Sequence, residues 1–580
     1  MFIRPLAKRH LADKIPSKIA HFSKQSEFCK RSLQKKRSIF ISIALMLCSC
    51  TTIKKHDTSL MKKEEATLHI ALPADPGSLD PRKNSDFISP SIHFMVFEGL
   101  VRMSPNASYE LALAEKIDIS EDGLVYTFHL RPSYWSDGSL VTAFDFAYAW
   151  KTMLEPTFPC PNAYLLYPIK NAFAVKTGKL AQEDLGIEAL DEKTFQVTLH
   201  ARTPYFLNII SYCLFSPVPH KIVEKDPKWA DTAGPHFVTN GPFLLEEWRL
   251  GDKLVLKKNP TYWDRDTVGL SGVEAYIIRD ENTGLKLFEK GELDYYGGFL
   301  NPIPRDSAAL LKTTHLLHTQ KVGATTFITF NLARFPFTNK NIRKAFAYAI
   351  NRREIIENVT QLEEEVATNY VASTLKNGKQ RDLYPDGAYD LAREHLRQGL
   401  EELGCDKSAL NGLTFTYTGN ALQKKVAEAV QAQWKEVFDL DIKMDEGDLK
   451  VQLDKFYQRD YQFGQIFLVV QFNDQMDVFQ RFKEPINPKN YPGWSNPLYG
   501  ELLEKSCKTS SEAERFLLLE EAEELLATEM PLSCVFHWNG VFMQQPYLKD
   551  SYMSPIGSVH WNRAYLDKKY EKKPLATAEK

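Results

Sequence analysis

The sequence predicts an α/β protein built of several lobes. Three observations lead there. Segments that alternate apolar and polar residues are interleaved with segments whose apolar residues recur at helical spacing, and such interleaving builds α/β layers. The length, 580 residues, corresponds to three or four lobes at roughly 150 residues each. Hydrophobic content of 43% with 25% charged residues is that of a globular chain. It excludes a collagen, a disulfide-dense mini-protein, a mostly disordered chain and a multi-span membrane protein.

The elements follow in order. Thr67 to Leu72 alternates as a first strand and runs into the turn-rich stretch from Asp75 to Pro81. Tyr126 to Leu130 alternates in the same way. Ser136-Asp137-Gly138 forms a turn, and Thr142 is placed to cap a helix carrying Phe146 and Trp150. Two short strands flank Asp191 and Glu192 within residues 185–200. Leu254 to Leu256 is a strand closed by Asn259-Pro260, and Asn282 to Lys290 is helical, with Leu285 and Phe288 on one face. Beyond Pro336, Ile342, Phe346, Ala349 and Ile350 form one helical stripe. Val426, Val430, Trp434 and Phe438 form another, followed by an alternating strand over Leu440 to Met444. Ser511 and Glu514 make a capping box that opens a helix through Leu525. The apolar stripes are core faces. No internal repeat or low-complexity tract is present.

The N-terminus reads as an address label. Lys35-Lys36-Arg37 precedes the apolar run Ile39 to Leu47, which is shorter than the about 20 residues that cross a bilayer and matches the apolar core of a secretory signal peptide. Leu47-Cys48-Ser49-Cys50 then resembles a bacterial lipobox, which makes Cys50 the lipidated first residue of the mature chain, with Cys48 as the alternative cleavage point. Residues 51–65 are polar and Lys-rich, a flexible tether. The first 50 residues hold eleven Lys and Arg against Asp13 and Glu27, so the remainder carries 61 basic and 72 acidic residues. A body of that sign repels polyanions and excludes nucleic acid as a partner. Five cysteines remain beyond the leader, at 160, 213, 405, 507 and 534. An odd, scattered set without a CxxC pair predicts neither a disulfide framework nor a zinc site.

Motifs of catalysis are missing. The chain has no phosphate-binding glycine loop, no GxGxxG, no HExxH and no GxSxG. His315 and His318 lie among apolar residues and read as a half-buried strand without a third ligand. No cofactor or metal is expected. A large secreted chain without a catalytic signature favours a binding protein over a hydrolase.

Several segments together carry a resemblance. Leu79-Asp80-Pro81, Phe97-Glu98-Gly99-Leu100, the run from Ala114 to Pro156, Thr239 to Phe243, Asn259 to Trp263, Gly291 to Asp294, and Phe330-Asn331 through Ile350-Asn351-Arg352 occur in one order. In that order they resemble the bacterial solute-binding protein family 5, the peptide-binding components of ABC importers, over residues 66 to 570. The resemblance implies a three-lobed, class II periplasmic-binding-protein-like fold of the dipeptide/oligopeptide-binding type that closes on a buried ligand. Lobe I would comprise 66–99, 238–324 and 546–580, lobe II 100–237 and lobe III 325–545, with the ligand between lobes I and III.

Site residues follow from the same resemblance. The family's ammonium-binding Asp lies in a segment similar to Leu468 through Phe479 here, and the match puts Gln471 at that Asp, between Val470 and Phe472. Gln accepts a hydrogen bond but does not neutralise an ammonium. Either Asp474 or Asp477 takes over in a shifted register, or a free N-terminal amine is not required; the plain reading of both acids is a solvated loop. Ser85, Asp86 and Phe87 would supply backbone groups to the ligand strand, and Tyr164 or Tyr167 a hydroxyl from lobe II. The disulfide that braces this strand in some relatives would fall near Gly323 and Val470, neither a cysteine.

The expectation is a monomeric, lipid-anchored, non-enzymatic receptor on the outer side of the membrane that hands oligopeptides to a permease and its ATPase. The alternatives are a receptor for cell-wall muropeptides or another peptide-like ligand, and a surface adhesin or sensor that no longer transports.

Overall fold

Alternation sends Leu68, Ile70 and Leu72 of Thr67–Leu72 (β1) into the core, and this segment becomes a central strand of a large mixed sheet. The computed structural model of the chain describes residues 66–567, except 85, 106–107, 299–301, 305–306 and 315. The expected leader, the expected lipidation site Cys50, the expected tether, Ser85, His315 and the last residues expected in lobe I lie outside the described residues.

After β1 the chain makes a small antiparallel pair, β2 (Val101–Met103) with β3 (Tyr109–Leu111). It then builds a separate antiparallel sheet from β4 (Ala114–Ile119), β5 (Val125–Leu130), β6 (Ile187–Ala189) and β7 (Thr194–Thr198), ordered β4-β5-β7-β6. The helix Ala143–Met153 packs on that sheet because Phe146 and Trp150 share one face. Their rings lie 5.8 and 5.1 Å from that of Phe195. Thr142 is its N-cap as predicted, and the buried Asp145 closes this end by accepting the Thr142 amide at 2.8 Å.

The chain next returns to the large sheet through β8 (Phe243–Arg249), β9 (Lys253–Lys258), β10 (Gly272–Ile277), β11 (Tyr295–Gly297) and β12 (Leu317–Phe330). The sheet is completed by β13 (Glu365–Val366), β14 (Thr414–Thr418), β15 (Lys443–Gly447), β16 (Phe463–Val469) and β17 (Leu532–Gln544). Among the described residues the order is β15-β14-β16-β12-β17-β11-β1-β10-β9-β8, with β13 on β17. β1 runs parallel to β10 and β11, and β14 parallel to β15 and β16; the other pairs are antiparallel. His318 lies on β12, a strand as expected, but it is exposed rather than half-buried, its ring resting on Phe542 at 5.3 Å near the outer end of the ladder.

The long strands β12 and β17 join the two halves of this sheet, pairing from Leu317 with Met543 to Thr329 with Leu532. Their ladder breaks between Lys321 and Thr325. There the Gly323 amide donates to the Pro555 carbonyl at 2.6 Å, and the Gly323 carbonyl accepts from Val470 at 2.8 Å. A Cβ on residue 323 would come within 2.4 Å of a Val470 methyl, so only glycine fits this approach. The two positions matched to a family disulfide are therefore direct neighbours. The five cysteines among the described residues are all free.

Both predicted helical stripes are core. Phe346, on the helix Lys340–Tyr348, meets Trp434, on the helix Ala421–Phe438, at 5.3 Å, and Phe463 of β16 packs on Phe337 at 4.7 Å and on Phe415 at 5.0 Å. The strand expected over 440–444 begins three residues later, at Lys443. Leu440 and Ile442 are buried as the alternation requires, but pairing starts only where Lys443 meets Thr414, the first residue of β14. The helix expected through Leu525 runs over Glu512–Glu529. Only half of its capping box forms: the Ser511 hydroxyl accepts the Glu514 amide at 3.3 Å, whereas the Glu514 carboxylate takes the Thr509 hydroxyl at 2.5 Å. Ser511→Ala is expected to lower stability by about 1 kcal/mol in urea unfolding. No helix among the described residues is long and apolar enough to cross a membrane.

Candidate ligand cleft

A cavity of about 740 Å³ lies between the ends of β1, β11 and β16, the turn at 86–91, the helix Leu449–Gln458 and the segment 556–561. That volume suits an organic ligand of several residues' size.

One wall is the edge of a strand. β12 covers one side of β16 from Phe463 to Val469, but on the other side β14 pairs only with Phe463 and Gly464. Beyond Gly464 no described strand covers this edge, and Ile466 to Gln471 line the cavity. The Val470 amide is bound to Gly323, and hydrogen-bonding direction alternates along a strand, so the amides of Phe467 and Val469 point away from β12. The facing wall is the turn before the helix Ser89–Val96. Asp86 fixes it by accepting the amides of Gly77, Ile88 and Ser89 at 3.1, 2.7 and 2.7 Å and the Ser89 hydroxyl at 2.5 Å. Phe87 reaches across, its ring centroid 5.5 Å from that of Phe467.

The helix Leu449–Gln458 supplies a third wall. Leu449, Lys450, Leu453, Asp454 and Tyr457 fall on successive turns of one face and all line the cavity. Lys489 donates to the Tyr457 hydroxyl at 3.1 Å and lies 5.5 Å above its ring.

The inner end is polar. The Tyr164 hydroxyl donates to the Gln471 side-chain carbonyl. Burial pushes the phenols of Tyr164, Tyr212 and Tyr491 well up, so all three remain protonated donors. Arg481 donates through Nε to the Asp477 carbonyl at 2.8 Å, and through Nη2 to the Val469 carbonyl at 3.0 Å and to the Asp477 carboxylate. Burial alone would lower its pKa, but Asp477 outweighs that and holds the guanidinium above its ordinary range.

Of the residues expected at the site, Asp86, Phe87, Tyr164, Val470 and Gln471 line this cavity together. Tyr167, Phe472, Asp474 and Asp477 do not. Tyr167 packs its ring on Phe173 at 5.1 Å, and Phe472 stacks on Tyr205 at 5.5 Å. The reading of Asp474 and Asp477 as solvated loop acids is corrected: they are 2% and 0% exposed. Asp474 is bound to Arg515 at 2.6 Å. Asp477 is bound to Arg481 and to the amides of Gln471 and Phe472, at 2.7 and 3.3 Å. Each acid is buried because an arginine closes over it: Arg515, away from the cavity, over Asp474, and Arg481, which itself lines the cavity, over Asp477. Sequence reading missed the 449–457 face, Arg481, Lys489, Tyr491 and the 556–561 segment. The helical spacing of Leu449, Leu453 and Tyr457 is visible in the chain, but nothing in it tells a cleft wall from a surface.

The family model for bacterial extracellular solute-binding proteins, family 5 (middle), matches residues 108–489. The chain belongs to solute-binding protein family 5. Among family 5 relatives, the oligopeptide-binding protein OppA of Bacillus subtilis is 35% identical over 87% of this chain and 93% of its own. The dipeptide-binding protein DppE of the same organism is 33% identical over 92% and 97%. The crystal structure of Haemophilus influenzae OppA in complex with the peptide RPPGFSPFR superposes with a TM-score of 0.78 at 25% identity, covering 87% of this chain and 99% of that one. This family 5 chain thus has the three-lobed, periplasmic-binding-protein-like α/β fold.

Proposed function

We propose that this family 5 protein captures oligopeptides in the cleft and delivers them to the permease and ATPase of an ABC importer, without catalysing a reaction on them. The observation that carries this reading is the uncovered edge of β16 facing the cavity. An extended peptide presents the same N–H and C=O groups whatever its sequence. A receptor that pairs with them gains affinity without reading side chains. Water in the remaining volume tolerates varied side chains. In the assigned division, 66–99, 238–324 and 546–580 form lobe I, 100–237 lobe II and 325–545 lobe III. Lobes I and III close on the ligand, and the closed shape is what the permease recognises. Acylation of Cys50 would hold this monomer at the outer side of the membrane.

Native mass spectrometry of residues 51–580 tests the reading. A ladder of bound masses fitting short peptides is the expected result. A protein that stays empty and ignores added peptide pools would remove peptide uptake. Val469→Pro tests the edge itself. Proline deletes the amide that points away from β12 and sacrifices no ladder bond, so folding should persist. Peptide affinity is expected to fall about tenfold or more; unchanged affinity would mean that β16 does not pair with the ligand. Gln471 favours, as the second reading, a peptide-like ligand without a free N-terminal amine, such as a muropeptide.

A further inference from the structure

We propose that the inner end of the cleft receives a carboxylate of the ligand, and that Arg481 and Lys489 are the cations that hold it. This rests on the peptide-receptor reading and assigns the charge of one ligand end.

Arg481 is 4% exposed, yet it lines the cavity. Its Nε and Nη2 groups are taken by Asp477 and Val469, whereas Nη1 hydrogen-bonds to no described residue. Both Nη1 protons therefore remain for a ligand. Lys489 lines the same cavity and makes one bond, to Tyr457, so its ammonium keeps two protons to donate. Tyr491 stands between the two cations, its ring 5.8 Å from that of Tyr457 and its hydroxyl within electrostatic reach of Arg481. Protonated phenols and the uncharged Gln471 complete this end.

The two carboxylates in the lining do not offset this. Asp86 has its oxygens occupied by four neutral donors. Asp454 is on an exposed turn of the helix Leu449–Gln458, where water screens it. Asp477 is consumed by Arg481 and two backbone amides and does not line the cavity. A ligand ammonium at this end meets donors; a carboxylate meets a guanidinium edge, an ammonium and hydroxyls, the set that makes charge-assisted hydrogen bonds.

The carboxylate has two sources: the C-terminus of a peptide lying in the reverse direction, or an acidic group on the N-terminal part of a peptide-like ligand. Titration calorimetry with Ala-Phe-Ala in four forms separates them: free, N-acetyl, N-succinyl and C-amide. N-acetylation is expected to leave affinity within about twofold. Loss of about ten- to hundredfold on C-amidation would identify the C-terminus as the anchor. A gain of that size for N-succinyl over N-acetyl would identify an N-terminal acid. Lys489→Met, and Arg481→Gln combined with Asp477→Asn so that no buried charge is orphaned, should each reduce the preference to about threefold or less. Gln471→Asp should create a preference for a free amine. The proposal is overturned if N-acetylation alone weakens binding tenfold while amidation and succinylation change nothing. If no form binds, the peptide-receptor reading falls, and this assignment with it.

Discussion

Asp477→Ala is expected to destabilise the protein by about 3–5 kcal/mol, measured by urea unfolding. The Asp477 and Arg481 side chains are 0% and 5% exposed, so removing the acid leaves a guanidinium buried without its counter-charge. It also strips the amides of Gln471 and Phe472 of their acceptor, and unpaired buried donors add to the loss. Asp477→Asn keeps the shape and part of the hydrogen bonding, so its effect should be smaller. Replacing both partners by Leu should recover only the part of the loss that comes from the orphaned charge, because the amides of Gln471 and Phe472 still lack their acceptor. A loss below about 1 kcal/mol for the alanine variant would mean that water reaches the pair.

The second large effect has the opposite sign. Gly323→Cys with Val470→Cys is expected to form a disulfide and to stabilise the oxidised protein by about 2–4 kcal/mol over its reduced form. The two residues already exchange a backbone hydrogen bond at 2.8 Å, and the missing Cβ points at the Val470 side chain, so the second cysteine removes the methyl that obstructs the first. The loop closed between 323 and 470 is long, and long loops lose the most unfolded-state freedom on cross-linking. Gly323→Ala alone, with Val470 in place, should destabilise. Equal melting of the oxidised and reduced double variant would show that the strands do not approach as described.

Much of the fold was legible because its signals are local. Thr67–Leu72 alternates, Trp434 and Phe438 sit at helical spacing, and Thr142 stands where a cap must stand. The one displaced strand, 443–447 against 440–444, shows the limit: alternation marks which residues are buried, while a partner strand decides where pairing begins. The cleft was half legible. Matching to family segments brought out Gln471 and the 86–87 turn, because those positions are ordered along the chain. Arg481 was invisible for a physical reason. Four residues after Asp477, it reads as an ordinary exposed helical ion pair, and only the tertiary arrangement buries the pair against the cavity. The same holds for Lys489, whose partner Tyr457 is on another element.

The bare edge of β16 is also a hazard. Any exposed strand edge presents unpaired backbone groups and is a template for another chain. Here the edge is sunk into a partly open hollow, with Phe87 set against Phe467 across the gap. A single extended strand of a few residues fits such a slot, but the flank of a second folded sheet, with its neighbouring strands and loops, does not. Depth therefore filters by cross-section, so that the surface most able to recruit a peptide backbone is withheld from everything thicker than one.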